Sequence, residues 1–432
     1  MLLQLATRIL RTTDPRCLWK AGWNCGVKGA VSIHKFKRRL KQGIYFPPFL
    51  HVSIINSCNL RCQGCWVDVD APREAIDLDA MHRLISDAKQ HGNSLFGILG
   101  GEPFLYAGLL DLLAAHPDCY FQVFTNGQFI TEKVAAEMRR LGHITPLISI
   151  EGREVTSNER RGKPDVFSRT LRGLENCVKA RLFTGVATSL CQSNLDELLS
   201  ADWLRELIRR GVHYVWYYTY RPVGPKPSYD LALRPDQLIR VRRFLVEMRV
   251  QMPVLIVDAY YDHLGRSLCP SAVGLSHHIS PRGYIEPCPV IQFAKENIRD
   301  ATSVFELMTH SAFLQDYRRT ALQAMRGCIV LERPDLLREL VLTHGALDST
   351  ARATALAELS TMTPHFSQWL PGEEIPEQHW LYRWAKRFGF NDFGAYRQAN
   401  HPTDAKCRAL KTALDQVVPA KHNWARREPV LK

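Results

Sequence analysis

In FLHVSIINSCNLRCQGCWVD, residues 49–68, an apolar β-rich run leads directly into Cys58, Cys62 and Cys65, spaced C-x3-C-x2-C. A structural zinc site normally closes on four ligands, so three thiols leave a fourth position to explain. Thiolates bind both zinc and iron–sulfur clusters. The residues alone leave open a four-iron cluster with one open iron and a zinc site completed by His51. Three unligated core cysteines are a further alternative, which their close spacing in a loop disfavours.

Outward from this stretch, apolar β-rich runs alternate with helical segments. Six such runs occur before residue 225: FLHVSIINS, SLFGILG, FQVFTNG, ITPLISIEG, FTGVATSLCQSN and HYVWYYTYRPVG. Alternation of strands and helices predicts βαβ units and a parallel sheet. Six units are too few for a closed eight-unit barrel, so we expect an α/β fold with a partial (β/α)6 parallel barrel.

Small and polar residues follow the predicted strands at the points where the strands end. The cysteines follow the first strand, GGEP (100–103) the second, TNG (125–127) the third and SIEG (149–152) the fourth. The carboxyl ends of parallel barrel strands carry functional residues, so the repetition predicts a site at that end of the sheet. Turn formation alone would also use Gly, Asn and Pro, but four successive strand ends favour a site.

Together these motifs resemble the radical S-adenosylmethionine (SAM) superfamily over at least residues 48–225. The resemblance implies that Cys58, Cys62 and Cys65 ligate a [4Fe–4S] cluster whose open iron binds the amino and carboxylate groups of SAM. In that family the reduced cluster splits SAM into methionine and a 5′-deoxyadenosyl radical, which abstracts hydrogen from a substrate or adds to it. The protein then has to orient and shield the cofactor chemistry.

The resemblance also implies a set of cofactor-binding residues: Gly100, Gly101, Glu102, Asn126, Ser149 and Arg161. The two glycines are expected to let the backbone approach SAM, and Glu102 is expected to face the methionine ammonium. Ser149 is expected near the ribose. The Arg161 guanidinium suits the SAM carboxylate, with a surface charge as the alternative. The family often has an aromatic residue just before the third cysteine, where it contacts adenine, and this chain departs from that pattern with Gly64.

A second cysteine set lies further along the chain. Cys269 and Cys288 frame Gly283 as C-x13-G-x4-C, and Cys328 follows. This arrangement resembles the auxiliary-cluster extension, of SPASM or twitch type, of many radical SAM enzymes, whose fuller form has seven cysteines and two clusters. The resemblance implies one auxiliary [4Fe–4S] cluster ligated by these three cysteines, with no fourth ligand identified. The nearby histidine pair (277–278) is interpreted as polar rather than ligating, and three unrelated cysteines are the alternative.

Twelve cysteines in this chain argue for metal binding or catalysis rather than a disulfide framework, because we expect a cytoplasmic protein with reduced thiols. No apolar run reaches the roughly 20 residues that span a membrane, and the N-terminus lacks a signal-peptide pattern. The cysteines outside the two sets are interpreted as small apolar residues: Cys17, Cys25, Cys119, Cys177, Cys191 and Cys407.

The net charge of +13 is concentrated near the N-terminus. Residues 1–44 hold ten Lys or Arg against one acid, Asp14, which gives +9, and Leu, Ile and Trp lie between the charges. This pattern leads to the hypothesis of peripheral contact with an anionic membrane surface. The alternative is that this arm packs on the barrel with its charges facing water. Nucleic acid is not an expected partner, because no nucleic-acid-binding motif accompanies the charge.

Four segments are therefore predicted: a basic N-terminal arm (1–47), a radical SAM core (48–225), a linker with an auxiliary-cluster domain (226–345) and a helical C-terminal region (346–432). We predict an enzyme that reductively cleaves SAM and modifies a lipid-like, peptide or cofactor-precursor substrate. An electron donor such as flavodoxin or ferredoxin would reduce the cluster of this enzyme. The alternative is a non-catalytic iron–sulfur or zinc-binding scaffold of the same fold, which the intact first cysteine set and Glu102 disfavour.

Overall fold

The computed structural model describes residues 2–368 and 372–398. Its strands are β1 (Phe49–Ser53), β2 (Leu95–Leu99), β3 (Tyr120–Thr125), β4 (Ile144–Ser149), β5 (Gly185–Leu190), β6 (Tyr214–Thr219), β7 (Leu255–Val257), β8 (Ser276–Ile279), β9 (Ile285–Glu286), β10 (Phe293–Ala294) and β11 (Leu347–Asp348). Within the predicted C-terminal region, residues 369–371 and 399–432, including Cys407, lie outside the described residues.

The helices are α1 (Leu2–Thr12), α2 (Pro15–Lys20), α3 (Lys28–Leu40), α4 (Leu78–Gln90), α5 (Leu109–Ala114), α6 (Glu132–Leu141), α7 (Glu154–Arg161), α8 (Val166–Lys179), α9 (Leu195–Leu198), α10 (Ala201–Arg209), α11 (Pro235–Gln251), α12 (Val304–His310), α13 (Ala312–Ala324), α14 (Ile329–Glu332), α15 (Pro334–His344), α16 (Ala355–Thr361), α17 (Trp380–Gly389) and α18 (Ala395–Gln398). A π-helical segment, Ala21–Val27, joins α2 to α3.

A nine-stranded sheet forms the centre of the fold, in the order β7-β6-β5-β4-β3-β2-β1-β8-β9. Strands β1 to β8 pair in parallel with their neighbours, and β9 returns antiparallel to β8. The predicted α/β fold with a parallel sheet is confirmed, and the six predicted strands are β1 to β6. The sheet is open, with β7 and β9 at its two edges.

The sheet extends past the six predicted strands at both edges. β7 contains only three residues and follows α11, so the strand–helix alternation continues beyond residue 225. β8 (SHHI) pairs with β1, placing Leu50 opposite His277. A three-residue strand and a strand rich in histidine lack the alternating apolar pattern that reveals strands in a sequence. The predicted boundary at residue 225 remains a prediction.

Capping residues explain where several helices of the barrel begin and end. The side chains of Asp77, Thr131 and Ser200 accept hydrogen bonds from backbone amides in the first turns of α4, α6 and α10. Such N-caps satisfy amides that have no partner within the helix. α6 ends at Gly142, whose left-handed φ of 79° suits glycine. These local signals set where helices begin and end, and so produce the alternation of helices and strands on which the parallel sheet depends.

The N-terminal arm is helical and packs across the edge of the sheet where the parallel strands begin. Asn24 is buried, and its side-chain amide donates to Cys119 O (2.8 Å), just before β3. The Arg8 guanidinium donates to Val212 O (2.7 Å) and Pro253 O (2.9 Å), just before β6 and β7. The arm therefore covers the strand starts, at the opposite end of the strands from the cysteines that follow β1.

One side of the arm remains apolar and exposed. Trp19, Trp23, Val27 and Val31 follow one another at intervals of four residues, and all four are exposed. The two tryptophan rings stack with their centroids 6.0 Å apart. We call these four residues the arm stripe. Within the described ranges, the structure contains no helix whose length and hydropathy would let it cross a bilayer.

A buried group of charges attaches α17 to the last strand and helix of the barrel. Asp258 accepts hydrogen bonds from Arg249 (2.6 Å) and Lys386 (2.9 Å), and Glu377 pairs with Arg242 (2.9 Å). All five side chains are almost completely buried. Removing one partner from such a group leaves an uncompensated buried charge, which is strongly destabilising. The described C-terminal residues are therefore part of the folded body.

Candidate active site

The cysteine loop, residues 54–68, is held at the end of β1 by the end of β2. Gly101 N donates to Ile55 O (2.7 Å). A Cβ atom on Gly100 would lie 2.3 Å from Ile55 O, and one on Gly101 would lie 2.2 Å from Ser57 O. Both positions require glycine because the two backbones approach so closely, and Gly100 also has a φ of +142°. Their predicted approach to SAM stays a prediction, whereas their contact with the cysteine loop is observed.

The loop brings the thiols of Cys58, Cys62 and Cys65 together, and all three residues are partly exposed. Burial raises the pKa of the Cys58 thiol to about 11 and the pKa of Cys65 to about 12, and the neighbouring thiols add to both shifts. A bound metal centre would hold such thiols as thiolates.

Within the described ranges, no three His, Cys, Asp or Glu side chains form a group that could hold a single metal ion. A four-iron cube takes one thiolate per iron and so spaces its ligands more widely than one ion does. His51, the candidate fourth zinc ligand, lies in the middle of β1 with its ring 4.6 Å from Phe49 and 6.1 Å from Phe124. Three soft thiolate donors suit an iron–sulfur cluster.

Arg161, at the end of α7, lies beside the thiols. Its Nη2 donates to Glu151 Oε1 (2.7 Å), and its Nη1 lies 3.9 Å from Cys62 Sγ. Although burial opposes its charge, Cys62 and Glu151 raise the pKa of Arg161. Its Nε is buried and has no hydrogen-bond partner among the described residues. A buried donor without a partner is costly, so this guanidinium is suited to an anionic ligand.

The C-terminal end of α7 also fixes the cysteine loop. Gln63 N donates to Arg160 O (2.9 Å), and Arg160 Nη1 donates to Gln63 O (3.2 Å). Lys163 Nζ donates to Asn59 O (2.8 Å). These contacts join residues almost a hundred positions apart, so sequence reasoning did not find them. Glu151, which orients Arg161, could have been found from the sequence, because it belongs to the SIEG motif that follows the fourth strand.

Glu102 is completely buried between the ends of β2 and β3. Its Oε1 accepts from Thr125 Oγ1 (2.7 Å) and Phe104 N (3.2 Å), and its Oε2 accepts from Asn126 N (2.8 Å). Burial raises the pKa of Glu102, although these hydrogen bonds oppose the shift. A carboxylate has about four acceptor positions, so one position on Oε2 remains for the predicted ammonium contact.

The other two predicted cofactor-binding side chains differ in their surroundings. Asn126 Nδ2 donates to Asn59 Oδ1 (2.8 Å) and lies 4.0 Å from Cys58 Sγ, so this side chain is tied to the cysteine loop. Ser149 ends β4 and is only partly buried. Its hydroxyl makes no hydrogen bond to the described residues, which leaves it available to a ligand.

A tyrosine from another part of the chain fills the space beside Gly64. A Cβ atom on Gly64 would lie 2.2 Å from Tyr220 Oη, and Gly64 has a φ of +66°. Tyr220 directly follows β6, and its Oη accepts from Ser228 N (3.1 Å). The Arg160 guanidinium lies 5.6 Å from the ring centroid. The chain thus lacks an aromatic residue before the third cysteine in sequence, but has one there in space, which no local motif indicates.

The structure also brings Cys269, Cys288 and Cys328 together. Burial raises the pKa of the Cys288 and Cys328 thiols. The thiols of Cys328 and Cys269 add to the shift at Cys288, and that of Cys269 adds to the shift at Cys328, where the charge of Arg221 opposes it. Cys269 Sγ lies 3.3 Å from Ser271 Oγ and 3.8 Å from Tyr317 Oη. Of the remaining cysteines in the described ranges, Cys25 is exposed and the other four are buried.

A small open pocket, with a cavity volume of about 40 Å³, lies between the cysteine loop and the β8–β9 hairpin. Trp66, directly after Cys65, lines it with its ring centroid 5.5 Å from that of His278. His278 bonds through Nε2 to Ser53 Oγ (2.8 Å) and through Nδ1 to Glu286 Oε2 (2.5 Å). His278 therefore has protein partners at both ring nitrogens.

Comparison with known proteins gives a family match over residues 52–218, to the radical SAM superfamily. The sporulation killing factor maturation protein SkfB of Bacillus subtilis is 25% identical over 331 residues, covering 72% of this chain and 80% of that protein. The AdoMet-dependent heme synthase of Methanosarcina barkeri is 22% identical over 245 residues, covering 55% of this chain and 69% of that protein.

Solved structures show the same fold. SuiB of Streptococcus suis, bound to S-adenosylmethionine, matches with a TM-score of 0.54 at 18% identity, over 66% of this chain and 71% of SuiB. The protein anSMEcpe, with bound AdoMet and the Cp18Cys peptide, matches with a TM-score of 0.52 at 15% identity, over 85% of this chain and 99% of that chain.

The Gly101→Ala variant should have a free energy of unfolding lower by about 1–3 kcal/mol, because the added Cβ would overlap the backbone of the cysteine loop. It should also retain less iron after anaerobic reconstitution. Gly22→Ala is the matched control, since nothing lies within 4 Å of a Cβ placed there. Urea unfolding and iron analysis measure both effects, and equal stability of the two variants would contradict the close approach.

Proposed function

The chain carries a radical SAM domain with homologues among SPASM/twitch-type enzymes, and from this premise we propose that it reductively cleaves SAM at a [4Fe–4S] cluster held by Cys58, Cys62 and Cys65. Radical SAM enzymes use such a cluster together with SAM. The observation that supports the proposal most directly is the convergence of three thiols beside Arg161, whose buried Nε has no partner among the described residues.

When bound and reduced, the cluster supplies one electron that breaks the C5′–sulfur bond of SAM, giving methionine and a 5′-deoxyadenosyl radical. A low-potential one-electron donor, such as flavodoxin or ferredoxin, supplies the electron.

Arg161 offers its guanidinium to the SAM carboxylate, and Glu102 offers its remaining acceptor position to the ammonium. Tyr220 offers an aromatic ring beside Gly64, and the Ser149 hydroxyl is available for the ribose. Gly100 and Gly101 hold the loop that presents these groups.

The substrate is proposed to be lipid-like, a peptide or a cofactor precursor. The pocket lined by Trp66 adjoins the cysteine loop and is the proposed substrate site. Related proteins include a GTP 3',8-cyclase and a sporulation killing factor maturation protein, and SuiB has been solved bound to its precursor peptide SuiA. The alternative of a non-catalytic scaffold is not favoured, because Arg161 lies beside Cys62, and Asn126, whose backbone N donates to Glu102, lies beside Cys58.

The Cys62→Ala variant should lose the change in electron paramagnetic resonance that SAM causes in the reduced protein, and should form no 5′-deoxyadenosine. Removing one of three thiolates leaves too few ligands to hold the cluster in its SAM-binding form. Cys25→Ala is the control, since Cys25 is exposed and belongs to neither set. An unchanged yield of 5′-deoxyadenosine from Cys62→Ala, measured by chromatography with dithionite as reductant, would refute the assignment.

We also propose that Cys269, Cys288 and Cys328 hold an auxiliary [4Fe–4S] cluster. Replacing Cys58, Cys62 and Cys65 together by Ala should therefore leave about one cube per chain after reconstitution. Iron and sulfide analysis checks this number against the unmodified chain, in which we expect two cubes. Iron near zero in the triple variant would mean that the second set holds no cluster.

For the N-terminal arm, we propose contact with an anionic bilayer through the arm stripe. The arm carries exposed Trp and Val together with exposed basic residues such as Arg38 and Lys41, a pattern that suits lipids with negative head groups. Each Lys or Arg near such a surface contributes about 1 kcal/mol, which salt screens. Because the arm also covers the strand starts, single residues rather than the whole arm should be changed.

The variant with both Trp19→Ser and Trp23→Ser should float with vesicles of phosphatidylglycerol and phosphatidylcholine much less than the unmodified chain at low salt. A variant with both Val155→Ser and Leu347→Ser, two exposed apolar residues outside the stripe, should float normally. If the unmodified chain itself does not float at low salt, the arm's charges only face water and the membrane hypothesis is wrong.

A further inference from the structure

Arg221 joins the barrel to the auxiliary cysteine set. We propose that Arg221 donates a charge-assisted hydrogen bond to the cluster held by Cys269, Cys288 and Cys328, and that its charge raises the reduction potential of that cluster. This inference rests on the proposed auxiliary cluster. Arg221 is a positioning and charge-supplying residue from the radical SAM core, and neither the motifs nor the family match assigns it a role.

The position of Arg221 follows from its place in the chain. Arg221 stands two residues after Thr219, where β6 ends, and directly follows Tyr220. Tyr220 packs against Gly64, between the second and third cysteines of the first set. Two consecutive residues therefore reach the two cysteine sets, Tyr220 the first and Arg221 the second.

Hydrogen bonds tie the Arg221 guanidinium to the backbone around the second set. Its Nη2 donates to Gln368 Oε1. The Gln368 side chain in turn donates to Leu268 O (3.4 Å), the residue before Cys269. The neighbouring Ser367 Oγ accepts from Cys328 N (2.8 Å). Movement of the guanidinium is thus restricted by the same residues that position two of the three cysteines.

The guanidinium retains one free donor. Arg221 Nη1 is buried and has no hydrogen-bond partner among the described residues, whereas Nη2 is occupied by Gln368. The guanidinium also lies 5.3 Å from the centroid of the Tyr260 ring. Burial opposes its charge, but Cys328, Tyr260, Glu332 and Cys269 together raise the pKa of Arg221. The nearby Glu332 carboxylate is engaged by Ser367 Oγ (2.5 Å), and the structure shows no hydrogen bond from Arg221 to it.

A cation at this place has a predictable electrostatic effect. Three thiolates give the cluster a net negative charge, and one-electron reduction increases it. A fixed buried cation therefore stabilises the reduced form more than the oxidised form. Net charge and hydrogen bonds to sulfur are among the factors that set cluster potentials, and their effect is strongest where water is excluded. Arg221 should consequently make the auxiliary cluster easier to reduce.

The test uses the variant that lacks Cys58, Cys62 and Cys65, so that the auxiliary cluster is measured alone. In that background, Arg221→Gln removes the charge but keeps an amide donor. The equilibrium constant for one-electron reduction should fall roughly tenfold, which is about 59 mV in midpoint potential. Potentiometric titration followed by electron paramagnetic resonance measures the shift. Lys226→Gln is the matched control, because Lys226 is an exposed cation on the same connecting segment and its loss should leave the potential unchanged.

The outcomes separate this inference from the proposal on which it rests. If the background variant holds no iron, the auxiliary cluster itself is refuted, and this inference with it. If Arg221→Gln holds one cube at an unchanged potential, the cluster stands and the role of Arg221 is wrong. If Arg221→Gln fails to fold or to load, Gln368→Glu decides the question. That change preserves shape and pairs Arg221 with a negative charge, so an unchanged potential there would also overturn the role.

Discussion

The close approach of two backbone segments at the carboxyl ends of β1 and β2 is the constraint on which the site depends. Gly101 N and Glu102 N donate to Ile55 O (2.7 Å) and Ser57 O (2.9 Å), and the space for side chains at Gly100 and Gly101 is taken by that backbone. The same two hydrogen bonds fix the start of the cysteine loop. They also place Glu102 at the end of β3, where its carboxylate accepts hydrogen bonds from Thr125 and Asn126. Glycine is therefore required at both positions of GGEP by the packing of the backbone, whether or not SAM is bound.

Much of the fold could be predicted because its signals are local. Helix caps such as Asp77 and the apolar strands between them set the alternation that leads to a parallel sheet. Cysteines after β1 and polar residues after the next three strands then meet at one edge, since parallel strands end on the same side. The three-thiol loop and the position of Glu102 followed from sequence for this reason. The chemistry of SAM and of its cluster came from the family resemblance, and not from composition or spacing.

What the sequence could not predict are contacts between residues far apart in the chain. β8 pairs with β1, Tyr220 lies against Gly64, and Arg160 exchanges hydrogen bonds with Gln63. Each contact depends on how completed βα units pack together, and no periodicity of the local sequence encodes that. The arm illustrates the same limit in another way. Its basic composition indicated a charged surface, but Arg8 instead satisfies carbonyl groups at the starts of β6 and β7.

The two cysteine sets share an electrostatic design. Each consists of three thiols beside one arginine whose guanidinium is partly engaged by protein, Arg161 by Glu151 and Arg221 by Gln368. Each arginine also keeps a buried N–H, Nε in one case and Nη1 in the other, without a partner among the described residues. A buried donor that lacks a partner costs about 1–3 kcal/mol, so each arginine favours an acceptor beside it. Under the proposals above, the SAM carboxylate would be the acceptor at Arg161, and the auxiliary cluster would be the acceptor at Arg221. Binding of these two ligands would then stabilise the fold itself, because each would pair a buried donor.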